Sequence, residues 1–329
     1  MKKFINDVNN VESEMISGLL KAYPDKIKGI DSTGVLVRKD KKENKVAIIT
    51  GGGSGHEPSF AGYIGTGMLD AVAAGAIYTS PAADHIYEAI KAVATDKGVM
   101  LIPMNYTGDI MNFEMAAELA GAEGIETAMS VTNDDVAVDN SLYTVGRRGV
   151  AGTVLVHKVA GAMAETGASL DEVKAVADKA IANVRTMGVA INPSTIPAAG
   201  KPGFELEDDE MEFGIGIHGE PGVRKEKLKP ADQIVDMLLE KILSDLDYEG
   251  SEVALMVNGS GGTPLMELYL INNHAHDVLA SKNIRVYKTF VGNYMTSIEQ
   301  EGFSLTLFKL DDQLKGLLDA PSDTPTMKV

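Results

Sequence analysis

Val46-Ala47-Ile48-Ile49-Thr50-Gly51-Gly52-Gly53-Ser54-Gly55-His56-Glu57-Pro58 joins a short β-branched apolar run to a glycine-rich loop that closes on a histidine. A run of this kind, too short for a helix and bounded by glycine, reads as a buried strand. Three later runs repeat the form. Val99-Met100-Leu101-Ile102 leads into Asn105-Tyr106-Thr107-Gly108-Asp109, Val253 to Val257 into Asn258-Gly259-Ser260-Gly261-Gly262, and Val286 to Val291 into Gly292-Asn293-Tyr294.

Amphipathic stretches separate these runs. Ser80-Pro81 predicts a helix N-cap with proline at the first helical position, ahead of a face made by Ile86, Ala89, Ile90 and Val93. Ser169 and Glu172 form a capping box before Leu170, Val173, Val176, Ala177 and Ala180. Ile234, Met237, Leu238, Ile242 and Leu246 are spaced at three and four, which predicts a helix over 231–246. Strands alternating with helices argue for parallel sheets covered by helices. A boundary near Val184 to Pro193, after a long helix and before a loop rich in proline, glycine and small residues from Asn192 to Gly203, suggests two domains, 1–183 and 184–329. The expectation is therefore α/β: two α/β domains with mostly parallel or mixed sheets flanked by helices. The tail from Ala320 to Val329, with Pro321 and Pro325, is expected to be irregular or weakly ordered.

The 329 residues include 47 acidic and 30 basic ones, a formal net charge of −17. That field opposes direct contact with nucleic acid or an anionic membrane, and no compensating basic patch is visible. Cysteine is absent, which removes disulfide and thiolate chemistry and fits a reducing compartment. Asn6, Asp7, Asn9 and Asn10 interrupt any apolar segment after Lys2-Lys3, so the expected location is cytoplasmic.

Ligands of open parallel sheets gather at loops leaving the carboxyl ends of strands. The first such loop presents His56 beyond its glycines and the second presents Asp109. A further segment, Ile215-Gly216-Ile217-His218-Gly219-Glu220-Pro221-Gly222, flanks His218 with glycine. Neither a Walker loop nor a dinucleotide fingerprint is present, since His56 stands where the last glycine would be. No bound cofactor is expected, and no metal: His274 and His276, two apart, do not face one another on a helix. Arg147-Arg148 could take an anion, or anchor a domain boundary or oligomer contact.

GGGSGHEP at 51–58, TSP at 79–81, NYTGD at 105–109, GRRGVAGT at 146–153, KPGFE at 201–205, IGIHGEPG at 215–222, NGSGGTPLMELY at 258–269 and VGNYMTS at 291–297 together resemble one family. It is the K subunit of bacterial phosphotransferase-type dihydroxyacetone kinases, and the likeness runs essentially the whole length. The resemblance implies that dihydroxyacetone is held as a covalent hemiaminal on His218. It implies a ligand-binding set of Gly53, His56, Ser80, Asp109 and His218, with catalysis assigned to His218, Asp109 and His56. Asp109 would assist as acid–base at the ligand hydroxyl, and Ser80 would have two competing uses, as helix cap and as ligand contact. The resemblance further implies a homodimer in glycerol metabolism, with the nucleotide carried on a separate L-type subunit.

One position departs from the pattern. The kinase subunits usually carry a lysine just before the NYTGD-like motif, and here it is Met104. Methionine offers no N–H donor. Losing a charge-assisted hydrogen bond costs about 1.5–3 kcal/mol, which catalysis would feel more than covalent capture. The family includes non-catalytic paralogues that bind dihydroxyacetone and act as coactivators of a TetR-type transcription factor controlling the kinase operon. On this departure the first expectation is such a ligand-sensing coactivator. The alternative is the dihydroxyacetone-binding subunit of a PEP-dependent dihydroxyacetone (glycerone) kinase.

Overall fold

The computed structural model describes residues 2–30, 34–139 and 145–329. They form two compact units, each built on one six-stranded mixed sheet flanked by helices. The first unit comprises residues 2–132, 155–181 and 314–329, and the second residues 133–154 and 182–313.

Chain order in the first part is α1 (Val11–Ala22), β1 (Ile27–Ile30), β2 (Val35–Arg38), β3 (Ala47–Ser54), β4 (Ala71–Ile77), α2 (Ala83–Val93), β5 (Val99–Leu101), α3 (Thr107–Ala122) and β6 (Thr127–Met129), then α4 (Thr153–Glu165) and α5 (Leu170–Asn183). The first sheet runs β1-β2-β4-β3-β5-β6, and the block β4-β3-β5-β6 is parallel. Ile86, Ala89, Ile90 and Val93 of α2 and Phe113, Ala116 and Ala120 of α3 pack on Ala47, Ile49, Ala71, Ala73, Val99 and Leu101. Burial of that apolar surface, at about 25 cal/mol per Å², holds the helices to the sheet. The capping box at α5 is formed, with Ser169 N–H donating to Glu172 at 2.8 Å and Glu172 N–H to Ser169 Oγ at 3.3 Å.

The same unit buries a charge cluster. Asp70 accepts from Arg38 at 3.0 Å, from the Ile48 amide at 2.8 Å and from Lys45, while Glu165 accepts from Arg38 at 2.9 Å. Arg38, Lys45 and Asp70 are all nearly inaccessible, so each charge depends on the others for its solvation.

The second part continues with β7 (Val184–Asn192), β8 (Glu210–Phe213), β9 (Arg224–Lys227), α6 (Ala231–Asp245), β10 (Glu252–Gly259), α7 (Leu265–Ser281), β11 (Arg285–Gly292), β12 (Glu301–Leu310) and α8 (Asp312–Asp319). Its sheet runs β11-β10-β12-β7-β8-β9, and only β10–β11 is parallel. Both sheets are thus mixed and flanked by helices, as expected, with the second mainly antiparallel. A parallel neighbour requires a long crossover, and β10–α7–β11 has one, whereas the 214–223 connection between β8 and β9 makes an antiparallel pair. Ile234, Val235, Leu238, Leu239 and Ile242 of α6 and Leu268, Ile271, Ala275 and Leu279 of α7 pack against Val189, Val253, Leu255, Val257 and Leu305.

The first sheet ends with β6 at Met129 and the second begins with β7 at Val184, and the units interleave along the chain. Residues 133–154 join the second sheet because Asp135 bridges to Thr186, with Thr186 N–H donating to Asp134 at 2.7 Å and Val136 N–H to Thr186 at 2.9 Å. The tail is irregular, as expected, and it is tied to the first unit. Asp323 N–H donates to Thr66 at 3.0 Å and Thr326 N–H to Gly62 at 3.1 Å, while Met327 is buried. Among the described residues no helix is long and apolar enough to cross a membrane.

Candidate functional site

The parallel order β4-β3-β5 puts three carboxyl ends on one edge of the first sheet, and their loops carry Ser80, Gly53 with His56, and Asp109. Gly53 pairs with Gly75 across β3 and β4. A Cβ on Gly53 would lie 2.6 Å from the Thr79 amide nitrogen and 2.7 Å from Tyr78 Cα. Glycine is thus required by the close approach of the two backbones.

Tyr78 has φ 57°, a left-handed conformation that bulky residues rarely adopt. Its amide donates to Ser54 at 3.0 Å, and its ring stacks on His56 with centroids 5.2 Å apart and planes 20° apart. His56 is fully buried. The aromatic platform under His56 was not anticipated from sequence, because nothing local to Tyr78 marks it.

Ser80 does not cap α2. Pro81 and Ala82 intervene, the helix begins at Ala83, and Ala82 occupies the N-cap position without a side-chain bond. The Ser80 hydroxyl turns instead to Asp109, to whose carboxylate it donates. A Cβ on Gly108 would come within 2.8 Å of Ser80 Oγ, so Gly108 leaves room for that bond.

Asp109 lies in the first turn of α3, where the helix terminus favours an anion. Burial opposes this and wins: it pushes the Asp109 carboxyl up to about 7, against the lowering effect of the Ser80 bond. Among the described residues Asp109 Oδ1 has no hydrogen-bond partner. A buried carboxyl with one vacant oxygen and a pKa near neutrality suits proton transfer.

Met104 is buried and pairs its backbone with Thr132 in a parallel bridge, just before the loop to α3. His157, behind the same loops, bonds Ile102 O at 3.2 Å through Nε2 and meets Phe60 edge-on. Its complete burial lowers its pKa to about 4.

His218 belongs to the second unit, on the segment after β8. Of the residues singled out in the sequence, Gly53, His56, Ser80 and Asp109 are therefore grouped on one unit and His218 is carried by the other. Burial, with the Arg148 guanidinium adding to it, lowers the His218 pKa to about 3. The imidazole is neutral across the physiological range, the state in which a ring nitrogen has a free electron pair.

Arg147 and Arg148 have separate fates. Arg147 pairs with Asp245 at 2.8 and 2.5 Å. Arg148 is buried between Asp135, reached at 2.6 Å, and Glu220, reached at 3.0 Å. Carboxylates of this chain take both charges, so neither is an open anion site. His274 bonds Asp236 at 2.9 Å and His276 bonds Thr289 at 3.0 Å, two different directions.

A Dak1 domain model matches residues 17–326. The chain is 52% identical over 326 residues to the dihydroxyacetone-binding subunit DhaK of PTS-dependent dihydroxyacetone kinase 1 of Listeria innocua, covering 98% of this chain and 99% of that protein. It is 50% identical over 312 residues to the corresponding subunit of Lactococcus lactis, covering 94% of each. Among solved structures, a dihydroxyacetone kinase operon co-activator, Dha-DhaQ, superposes with a TM-score of 0.90 at 37% identity, covering 96% of this chain and 97% of that one.

Proposed function

The chain belongs to the Dak1 family, and we propose that it is the dihydroxyacetone-binding subunit of a phosphotransferase-type dihydroxyacetone kinase. The observation that carries this reading is Asp109: a buried carboxyl poised near pH 7, with a vacant oxygen, at the carboxyl edge of a parallel sheet. Such a carboxyl can accept the proton of a ligand hydroxyl, which phosphoryl transfer to that oxygen requires. The 52% identity to the Listeria innocua kinase subunit, over nearly the whole of both chains, supports the same reading.

The proposed chemistry uses the residues as follows. The unprotonated ring nitrogen of His218 attacks the ketone carbon, forming an N–C bond as the carbonyl π pair moves to oxygen. That oxygen takes up a proton and the other ring nitrogen releases one, leaving a neutral hemiaminal. Glycerol, which has no carbonyl, is excluded by this step. Gly53, His56, Ser80 and Asp109 form the set that binds the ligand hydroxyls. Asp109 accepts the proton of the terminal hydroxyl as that oxygen attacks the phosphoryl group brought by an L-type nucleotide-carrying subunit.

Mixed with dihydroxyacetone and cognate L-type and phosphocarrier subunits, the protein is expected to yield dihydroxyacetone phosphate. No product, from subunits that do serve a working K subunit, removes the kinase reading. Met104 favours a second reading, the ligand-sensing coactivator, because the usual lysine donor is absent. Dihydroxyacetone-dependent co-purification with a TetR-type factor, without turnover, would establish it. Under either reading the protein is proposed to work in the cytoplasm as a homodimer. Leu265, Met266, Tyr269 and Leu270 at the start of α7 are each at least half exposed, a surface suited to a second copy. Sedimentation at micromolar concentration tests this.

A further inference from the structure

His218 sits within residues 214–222, a segment with no regular secondary structure. Capture of a ketone requires the attacking nitrogen to be held within a few tenths of an ångström of its line of approach. A loop of this composition cannot hold it alone, since Gly214, Gly216, Gly219 and Gly222 all loosen the backbone.

Arg148 holds it at several points. Nη2 donates to the Gly214 carbonyl at 3.0 Å, and Nη1 to Glu220 Oε1 at 3.0 Å. The other Glu220 oxygen accepts the backbone N–H of His218 itself at 2.9 Å. Gly216 passes directly against the ion pair: a Cβ there would collide with Glu220 Oε1 and lie 2.6 Å from Arg148 Nη1. Asp135 fixes the guanidinium, accepting from Nε at 2.7 Å. Arg148 and Asp135 are at most 2% exposed and Glu220 6%. The segment is therefore wound around one planar, five-donor group, and a lysine cannot reproduce that fork.

We propose that Arg148 is the positioning residue for His218, fixing its loop through Glu220 and the Gly214 carbonyl so that the imidazole is preformed for ketone capture. The inference rests on the reading of His218 as the covalent anchor. Sequence motifs contain both ends of the pair, in GRRGVAGT and IGIHGEPG, but only the fold joins residues 72 positions apart.

The test uses Arg148→Lys and Glu220→Gln in the full chain, with Arg147→Lys as control because Arg147 pairs with Asp245. Two readouts are taken: the dihydroxyacetone dissociation constant at neutral pH, and the His218 ring signal in ¹³C-histidine-labelled protein, assigned through His218→Ala. Arg148→Lys and Glu220→Gln are each expected to weaken binding at least tenfold and to split or broaden the His218 signal, while the control changes neither. Wild-type affinity with a single unshifted His218 signal would overturn the proposal. So would weaker binding with that signal intact, since the loop would then be undisturbed. If Arg148→Lys does not fold, Glu220→Gln, which keeps the Arg148–Asp135 pair, decides alone. If His218→Ala binds dihydroxyacetone as tightly as wild type, the capture reading fails, and the ring signal still reports whether Arg148 positions the loop.

Discussion

The Ser80 hydroxyl donates to the Asp109 carboxylate, and that bond works against the burial that raises Asp109 to about 7. Turnover in the assembled kinase is therefore expected to climb with pH to a plateau, with its inflection near 7. Ser80→Ala removes the lowering influence and should move the inflection upward. A rate that is flat between pH 6 and 8 in both proteins would exclude Asp109 as the base.

The same carboxyl weakens folding at high pH. Its folded pKa of about 7 exceeds the ordinary 3.8, so the folded state holds its proton more tightly than the unfolded one. Stability from this group is highest below about pH 4, falls as pH rises to about 7, and is constant beyond. The fall is about 1.4 kcal/mol for each pH unit between those two values. The gain in melting temperature from Asp109→Asn should be larger at pH 8 than at pH 5. Equal gains at both would contradict the assigned environment.

His157 acts with the opposite sign. Burial depresses its pKa from 6.5 to about 4, so its contribution is complete above pH 6.5 and is lost as pH falls towards 4. Replacing it with glutamine should reduce the slope of stability against pH in that window by about 1.4 kcal/mol per pH unit. Denaturant titrations of both proteins at pH 5 and 6.5 measure this, and subtraction removes the buried carboxylates they share.

Gly53→Ala places a methyl group against the Thr79 amide and Tyr78 Cα. Both obstacles are backbone, so β3 and the loop after β4 must separate. Dihydroxyacetone affinity is expected to fall at least tenfold, about 1.4 kcal/mol, which calorimetry would show.

Asp70→Ala strands Arg38 and Lys45 in the interior of the first unit. Removing one member of a buried charge cluster costs about 3–5 kcal/mol. Chemical denaturation should register a loss of that size, and a loss under about 1 kcal/mol, the range of exposed pairs, would mean the cluster relaxes into solvent.

Local patterns were legible because their partners lie within a few residues. The apolar runs at 46–49, 99–102, 253–257 and 286–291 became β3, β5, β10 and β11, and Ser169 found Glu172 three residues on. Ser80 shows the limit. Ser-Pro before an amphipathic stretch looks like a cap, but α2 starts later and the hydroxyl goes to Asp109, 29 residues away on a neighbouring loop. Arg147 and Arg148 are identical in type and adjacent, yet one pairs with Asp245 and the other is buried with Asp135 and Glu220.

By itself the sequence determined which elements form and which reactive groups are available: two histidines in glycine-rich loops and a carboxylate in a strand-end loop. Those follow from short-range spacing and from side-chain chemistry, whereas the departure at Met104 is visible only against the family it resembles. Only the tertiary structure decided which carboxylate meets which cation, that Asp109 rises to about 7 and that His218 stays neutral. Desolvation and Coulomb interactions depend on what surrounds a group in space, and those neighbours are set by folding across tens of residues.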